Sequence, residues 1–131
     1  HEVLEENQRY WETARREYPV PYFPNVTVGW DPSPRTIQKL PYRNEGYPMM
    51  ATMDSSPEEF GEAIRAAVKF AEQLPESSRI VTVNAWNEWT EGSYLEPDLQ
   101  HGSAYLDMLQ TIITAGNFRR NPLSWAEQGI A

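Results

Sequence analysis

The sequence predicts an α/β fold whose helices and strands follow the order α-β-α-β-α. Apolar residues recur at helical spacing in three segments, and two segments between them are rich in β-branched residues. Prolines and turn residues separate these five segments. Strands that alternate with helices imply parallel pairing through right-handed crossovers. Two strands and three helices do not close an architecture by themselves.

The first helix is predicted from about Val3 to Glu17, because apolar residues lie at helical spacing there before Pro19 ends the pattern. A strand is predicted from Phe23 to Trp30, where apolar residues alternate. Residues 31–53, which include four prolines, then form a loop longer than most connections that carry no function.

The second helix begins with a capping box, Ser56-Pro57-Glu58-Glu59, in which the serine hydroxyl and the second glutamate satisfy each other's backbone N–H groups. Pro75 ends this helix. Its predicted inward face consists of Phe60, Ile64, Ala67, Val68, Ala71 and Leu74.

The second strand is predicted from Arg79 to Trp86 and reads as a strand covered on both faces, since its apolar residues are β-branched and nearly continuous. A long loop, 87–101, leads to a third helix from about Ser103 to Ala115 with Gly116 as its C-cap. Its predicted inward residues are Tyr105, Leu106, Leu109, Ile112 and Ile113, and Trp125 in the tail is expected to pack on the body.

Composition limits the function classes. The 131 residues suffice for one domain, 1–131, and the 11 Lys+Arg against 19 Asp+Glu give a net charge of −8, which disfavours nucleic acid as a partner. The absence of cysteine excludes disulfides and thiolate sites. No apolar run could span a membrane and no signal peptide is visible, while a start at His rather than Met predicts that the natural N-terminus lies elsewhere.

Two glutamates three positions apart, Glu88 and Glu91, follow the second strand. On a tight turn their carboxyls can face the same side, and cleavage of a glycosidic bond needs one neutral and one ionised carboxyl. The same spacing is also typical of a solvated helix face. Neighbouring side chains are candidate sugar ligands, with Trp86, Trp89 and Tyr94 as flat surfaces and Asn87 as a partner for a ring hydroxyl.

The first strand ends in a second group of candidates. Trp30 and Asp31 are candidate sugar-binding residues, and Arg35 could pair with Asp31 or orient a carboxylate, unless the two form a structural salt bridge of the loop. Glu96 could contact substrate and His101 could bind a sugar, but structural roles in the loop are expected for both. Two histidines leave too few ligands for a catalytic metal, so we expect neither a metal nor another cofactor.

The residues Val83–Asp98, VNAWNEWTEGSYLEPD, resemble the signature of the WbsX-like proteins, a glycoside hydrolase family 99-like group. The upstream VGWDPSPR of Val28–Arg35 is similar to a second motif of this group, and Ser56–Phe60 to the helix opening that follows it. The resemblance implies the C-terminal portion of a (β/α)8 TIM barrel, with the active site at the carboxyl ends of the strands.

Enzymes of family 99 are endo-acting α-mannosidases and mannanases that retain anomeric configuration. The resemblance implies that Glu88 acts as a base on the 2-hydroxyl of the substrate and Glu91 as the general acid/base. Thr90 stands where those mannosidases have His, which leaves open a conventional double displacement with Glu88 as nucleophile.

These observations predict part of a retaining glycoside hydrolase that acts on glycans or polysaccharides. The alternatives are a glycosyltransferase of polysaccharide biosynthesis and a non-catalytic carbohydrate-binding or assembly module. A full barrel takes about 250 residues. We therefore expect this piece to be inactive alone or to self-associate, with uncovered barrel-facing side chains at Val26, Val28, Ile80, Val81 and Val83.

Overall fold

A computed structural model of the chain describes residues 2–35 and 53–115. These residues form three helices and two small two-stranded sheets. They are α1 (Glu2–Glu17), β1 (Asn25–Thr27), α2 (Pro57–Ala71), β2 (Thr82–Asn84), β3 (Asn87–Glu88), β4 (Ser93–Tyr94) and α3 (Ala104–Ala115), with 3₁₀ turns at Ser33–Arg35, Glu76–Ser78 and Trp89–Glu91.

Strands β1 and β2 form a parallel pair, which confirms the predicted α/β class and the parallel crossover through α2. Asn25 lies opposite Thr82 and Thr27 opposite Asn84. Both strands are shorter than predicted. After β1 the backbone turns away from β2, so that Trp30 exchanges two hydrogen bonds with Met53, of 2.9 and 2.7 Å.

The core lies between the helices and the inner face of the sheet. Val26 and Val28 are buried in it together with Trp11 of α1 and residues of α2 and α3, so the prediction that these two valines would be uncovered was wrong. The second strand is not covered on both faces. Ile80 is 47% exposed, and Val81 and Val83 are half-buried, because no described helix packs on that side.

Helix α2 begins at the predicted capping box. The Ser56 hydroxyl accepts from the Glu59 backbone N–H at 3.2 Å, and the Glu59 carboxylate accepts from the Ser56 N–H at 3.0 Å. Phe60 is fully buried on the predicted inward face. Helix α3 packs against α2, and Met108 lies so close to Gly61 that a Cβ there would approach it at 2.7 Å.

Of the predictions for the inward face of α3, some are confirmed and one is wrong. Tyr105 and Ile112 are buried as expected, whereas Ile113 is 41% exposed because α2 covers only one side of α3. Gly116 and Trp125 lie outside the described residues. Among the residues that the structure describes, no helix has both the length and the apolar character that a membrane crossing requires.

The segment predicted as a long loop after β2 contains a second, antiparallel pair. β3 and β4 pair with Asn87 opposite Tyr94 and Glu88 opposite Ser93. The 3₁₀ turn Trp89–Glu91 connects them, and Gly92 ends that turn with φ of 61°. This β3–β4 hairpin places both candidate glutamates.

Candidate active site

The two loops that leave the carboxyl ends of β1 and β2 contact each other. The Asp31 backbone N–H donates to the Glu91 carbonyl at 2.7 Å. The Asp31 carboxylate accepts from the Ser33 N–H at 2.9 Å and so begins the 3₁₀ turn that ends at Arg35. In this structure Asp31 therefore stabilises the loops, with its backbone N–H bonded to one loop and its carboxylate bonded within the other.

The hairpin is attached to the end of β1 by a buried hydroxyl. Ser93, which is fully buried, donates its hydroxyl to the Gly29 carbonyl, and the Thr27 hydroxyl donates to the same oxygen at 2.7 Å. Gly92 lies so close to Asp31 that a Cβ at this position would be 2.9 Å from the Asp31 Cβ. These contacts fix the position of β3 and β4 relative to the first loop.

Arg35 joins the two glutamates. Its Nη2 atom lies 2.9 Å from Oε1 of Glu88 and 3.3 Å from Oε1 of Glu91. The two carboxylate oxygens are therefore separated by at most the sum of these distances, about 6.2 Å. Of the two possibilities considered for Arg35, pairing with Asp31 or contact with another carboxylate, the structure shows contacts with the carboxylates of Glu88 and Glu91.

Thr90 forms hydrogen bonds with both Arg35 and Glu88. Its hydroxyl accepts from Arg35 Nε at 3.1 Å and donates to Glu88 Oε1 at 2.7 Å. The hydrogen bond from Thr90, followed by that from Arg35, lowers the pKa of Glu88 below its ordinary value. The Glu88 side chain is 41% exposed and that of Glu91 only 16%. The two carboxyls therefore have different environments.

Aromatic side chains lie next to the glutamates. Trp89 and Tyr94 stack with their ring centroids 3.8 Å apart, and Trp89 Nε1 donates to Glu96 at 2.6 Å. Trp86 and Trp89 remain 55% and 45% exposed. Glu96 holds the Trp89 indole, a contact consistent with its expected structural role. Asn87 is exposed on β3.

A cleft of about 300 Å³ opens beside the hairpin. Three predicted site residues, Trp30, Asp31 and Tyr94, line it, whereas Glu88 and Glu91 do not belong to its wall. The predicted residues thus divide between the cleft and the adjacent group of Arg35 and the two glutamates. The cleft wall also contains polar or aromatic residues that the sequence did not predict as site residues, namely Asp54, Ser55, Asp98, Gln100, His101 and Tyr105.

Asp98 organises one side of this cleft. Its carboxylate accepts from the Tyr94 hydroxyl at 3.1 Å and from the backbone N–H groups of Gln100 and His101 at 2.8 and 2.5 Å. The His101 N–H is the largest cause that lowers the pKa of Asp98. The position of Asp98 in a turn, two residues before Gln100, is the sequence signal for this type of contact.

The His101 ring packs edge-on against Tyr105, with centroids 5.2 Å apart. This contact agrees with the structural role expected for His101. Within residues 2–35 and 53–115, no group of three or more His, Asp or Glu side chains is arranged to hold a metal ion.

Comparison with known proteins identifies the family. The sequence model of the family described as "Glycosyltransferase WbsX" matches residues 3–109, most of the chain. The chain belongs to the WbsX family. Both motif regions described above lie within the matched part of this WbsX-family chain, and the family supports a role connected with carbohydrate.

Two similar proteins are named "Uncharacterized protein WxcX" and come from Xanthomonas campestris pv. campestris, strains B100 and ATCC 33913. Each is 33% identical to the WbsX-family chain over 93 residues, which is 70% of this chain. The matched part spans only 12% of the length of these relatives. No solved structure shows significant similarity to the chain.

Proposed function

We propose that this chain supplies the catalytic carboxylates of a carbohydrate-active enzyme, a retaining glycoside hydrolase that cleaves glycans or polysaccharides. The observation that supports this most is the contact of Glu88 and Glu91 with one nitrogen of Arg35. The oxygen of each glutamate that contacts Arg35 lies at most about 6.2 Å from the other, so both carboxyls can reach one glycosidic bond.

The unequal environments support unequal roles for the two glutamates. Glu88, with a lowered pKa and bonds from Arg35 and Thr90, is suited to act as the ionised group. Glu91 is the less exposed of the two, and the resemblance to family 99 enzymes assigns it the role of general acid/base. Trp86 and Trp89 present exposed indoles to the C–H faces of sugars, and Trp30, Asp31 and Tyr94 line the adjoining cleft for further hydroxyl contacts.

In the double displacement, Glu88 attacks the anomeric carbon while the glycosidic C–O bond breaks, and Glu91 gives its proton to the leaving oxygen. Water then attacks the glycosyl ester and loses a proton to Glu91, which restores both carboxyls. If Glu88 instead removes the proton of the substrate's own 2-hydroxyl, that oxygen attacks the anomeric carbon while Glu91 protonates the leaving oxygen. Water then opens the resulting epoxide at the anomeric carbon and loses a proton to Glu91, while Glu88 returns its proton to the 2-oxygen.

We also propose that residues 1–131 form the C-terminal portion of a (β/α)8 barrel. Two facts support this: β1 and β2 are parallel, and both loops of the site leave the carboxyl ends of these strands. The exposed Ile80 beside β2 is consistent with a further part of the barrel that covers this side chain.

A glycosyltransferase is the second candidate, because the description of the family names this activity. A transferase would use the same site to pass a sugar from an activated donor to a carbohydrate acceptor. The two activities differ in their products, so one assay can separate them.

The test uses the full-length protein that contains this chain and, as substrate, polysaccharide purified from the source organism. A hydrolase releases new reducing ends without an added donor, whereas a transferase consumes nucleotide sugars. We expect Glu91→Gln and Glu88→Gln each to lower the rate by about 100-fold or more, with polysaccharide binding retained.

Glu58→Gln is the matched control, because Glu58 is an exposed glutamate of α2 outside the site. It should leave the rate unchanged. Full activity of Glu91→Gln would contradict the proposed role of the carboxyl pair, and consumption of nucleotide sugars without hydrolysis would favour the transferase.

A further inference from the structure

We propose that Thr90 is a positioning residue of this site. Together with Arg35 it holds one carboxylate oxygen of Glu88, Oε1, and so presents the other oxygen, Oε2, to the substrate. This inference rests on the proposed function, because it assigns the reacting atom of the ionised glutamate.

The direction of each hydrogen bond follows from the chemistry of the three groups. A guanidinium has only donors, so the Thr90 hydroxyl oxygen must accept from Arg35 Nε, at 3.1 Å. The hydroxyl proton is then left for Glu88 Oε1, at 2.7 Å. Arg35 Nη2 donates to the same Oε1 atom at 2.9 Å. One oxygen of Glu88 therefore accepts from two donors that are themselves hydrogen-bonded to each other.

The second oxygen of Glu88 differs from the first. Within the described ranges, no side-chain or backbone donor forms a hydrogen bond with Oε2. An oxygen that accepts two hydrogen bonds has less electron density to offer to a carbon or a proton. Oε2 is consequently the better nucleophile or base, and the Thr90–Arg35 contact determines which way it faces.

The backbone around Thr90 is suited to this role. Thr90 lies in the middle of the 3₁₀ turn Trp89–Glu91, whose end is held by Gly92 and by the bond from Asp31 to the Glu91 carbonyl. The turn is therefore fixed to the loop that carries Arg35. A hydroxyl at this position reaches both Arg35 and Glu88, whereas an isosteric methyl group would reach neither by hydrogen bonding.

The experiment compares Thr90→Ser, which keeps the hydroxyl, with Thr90→Val, which keeps the shape and removes it. In full-length protein labelled with ¹³C at the glutamate carboxyl, the titration of Glu88 is followed by NMR, with Glu88→Gln used for assignment. The Thr90 hydroxyl is the largest cause of the lowered pKa of Glu88. We expect Thr90→Val to raise that pKa and Thr90→Ser to leave it near the wild-type value.

Activity on the purified polysaccharide supplies the second readout. Because Glu88 must be ionised, the acid limb of kcat/KM should move to higher pH in Thr90→Val, with a loss of roughly three- to tenfold on that limb. Thr90→Ser should follow the wild-type profile. Thr90→Ala replaces Thr90→Val if the latter does not fold, with the same expectations.

The two proposals can fail separately. Equal titration of Glu88 in all variants would overturn the role of Thr90, whatever the activity. A protein without hydrolytic activity whose Glu88 titrates as expected would overturn the proposed hydrolase and leave the contact of Thr90 with Glu88 confirmed.

Discussion

Arg35 is the residue whose contacts explain most about the site. Its side chain reaches Glu88, Thr90 and Glu91, three residues of one hairpin. The sequence identifies Arg35 as a candidate but leaves two partners open, because its contact with Glu88 joins positions 53 apart. Only the meeting of the two loops decides between those partners, and no local pattern encodes that meeting.

Gly92 should be more sensitive to substitution than a second glycine of similar conformation. Both Gly92 and Gly102 have positive φ, 61° and 57°, but a Cβ at Gly92 would meet Asp31 at 2.9 Å whereas a Cβ at Gly102 meets nothing within 4 Å. We expect Gly102→Ala to lower the free energy of unfolding by about 1 kcal/mol and Gly92→Ala by about 2–4 kcal/mol.

Urea denaturation measures both losses. Gly92→Ala should also reduce the activity of the full-length protein, because the Asp31–Glu91 contact must move, while Gly102→Ala should not. Equal losses of stability in the two variants would show that backbone conformation alone, and not packing on Asp31, requires glycine at position 92.

At the scale of elements, the helices were predictable and the hairpin was not. The spacing of Phe60 and Ile64 and the capping box at Ser56 are local signals, and the structure confirms α2 within a few residues. The pairing of β3 with β4 involves only two residues on each strand and depends on Ser93 reaching Gly29. Such a short pair has no period that a sequence pattern could reveal.

Tyr105 links α3 to the start of α2, because its hydroxyl donates to the Ser55 carbonyl. Burial raises the pKa of Tyr105 to about 12, while an unfolded chain releases this proton near 10. The folded state therefore holds the proton more tightly. Its contribution to stability is complete below about pH 10 and disappears as the pH rises to about 12, a loss of about 2–3 kcal/mol.

Chemical denaturation at pH 8 and pH 11.5 tests this linkage. Tyr105→Phe should be less stable than wild type at pH 8 by about 1 kcal/mol, because the Ser55 carbonyl loses its donor, yet its stability should fall less at pH 11.5. Tyr18→Phe, at an exposed position, should keep the wild-type slope. An equally steep alkaline decline in Tyr105→Phe would assign the effect to other tyrosines.

At the scale of the whole molecule, the second edge of β2 pairs with no strand within residues 2–35 and 53–115. Thr82 donates to the Pro24 carbonyl at 3.0 Å and the Asn84 carbonyl accepts from Val28 at 3.1 Å, so these residues of β2 face β1. The backbone groups of Val83, between them, point to the opposite edge. In the proposed barrel that edge pairs with a further parallel strand.

Hydrogen exchange on the full-length protein tests this placement. We expect the Val83 amide to be protected as strongly as the Thr82 amide, because each would donate to a neighbouring strand. Thr82 serves as the internal control, since its acceptor lies within this chain. Rapid exchange at Val83 alongside slow exchange at Thr82 would place β2 at the edge of a sheet and argue against a closed barrel.

Arg35 and Glu88 form an ion pair, although Arg35 precedes the crossover helix α2 in the sequence and Glu88 follows it. A ribosome releases the arginine before the glutamates, so both carboxylates emerge after their counter-charge has been made. The two carboxylates contact Arg35 only when β2 has paired with β1. A nascent chain that has not yet folded therefore holds no aligned carboxyl pair, and the proposed activity would begin only once synthesis of both loops is complete.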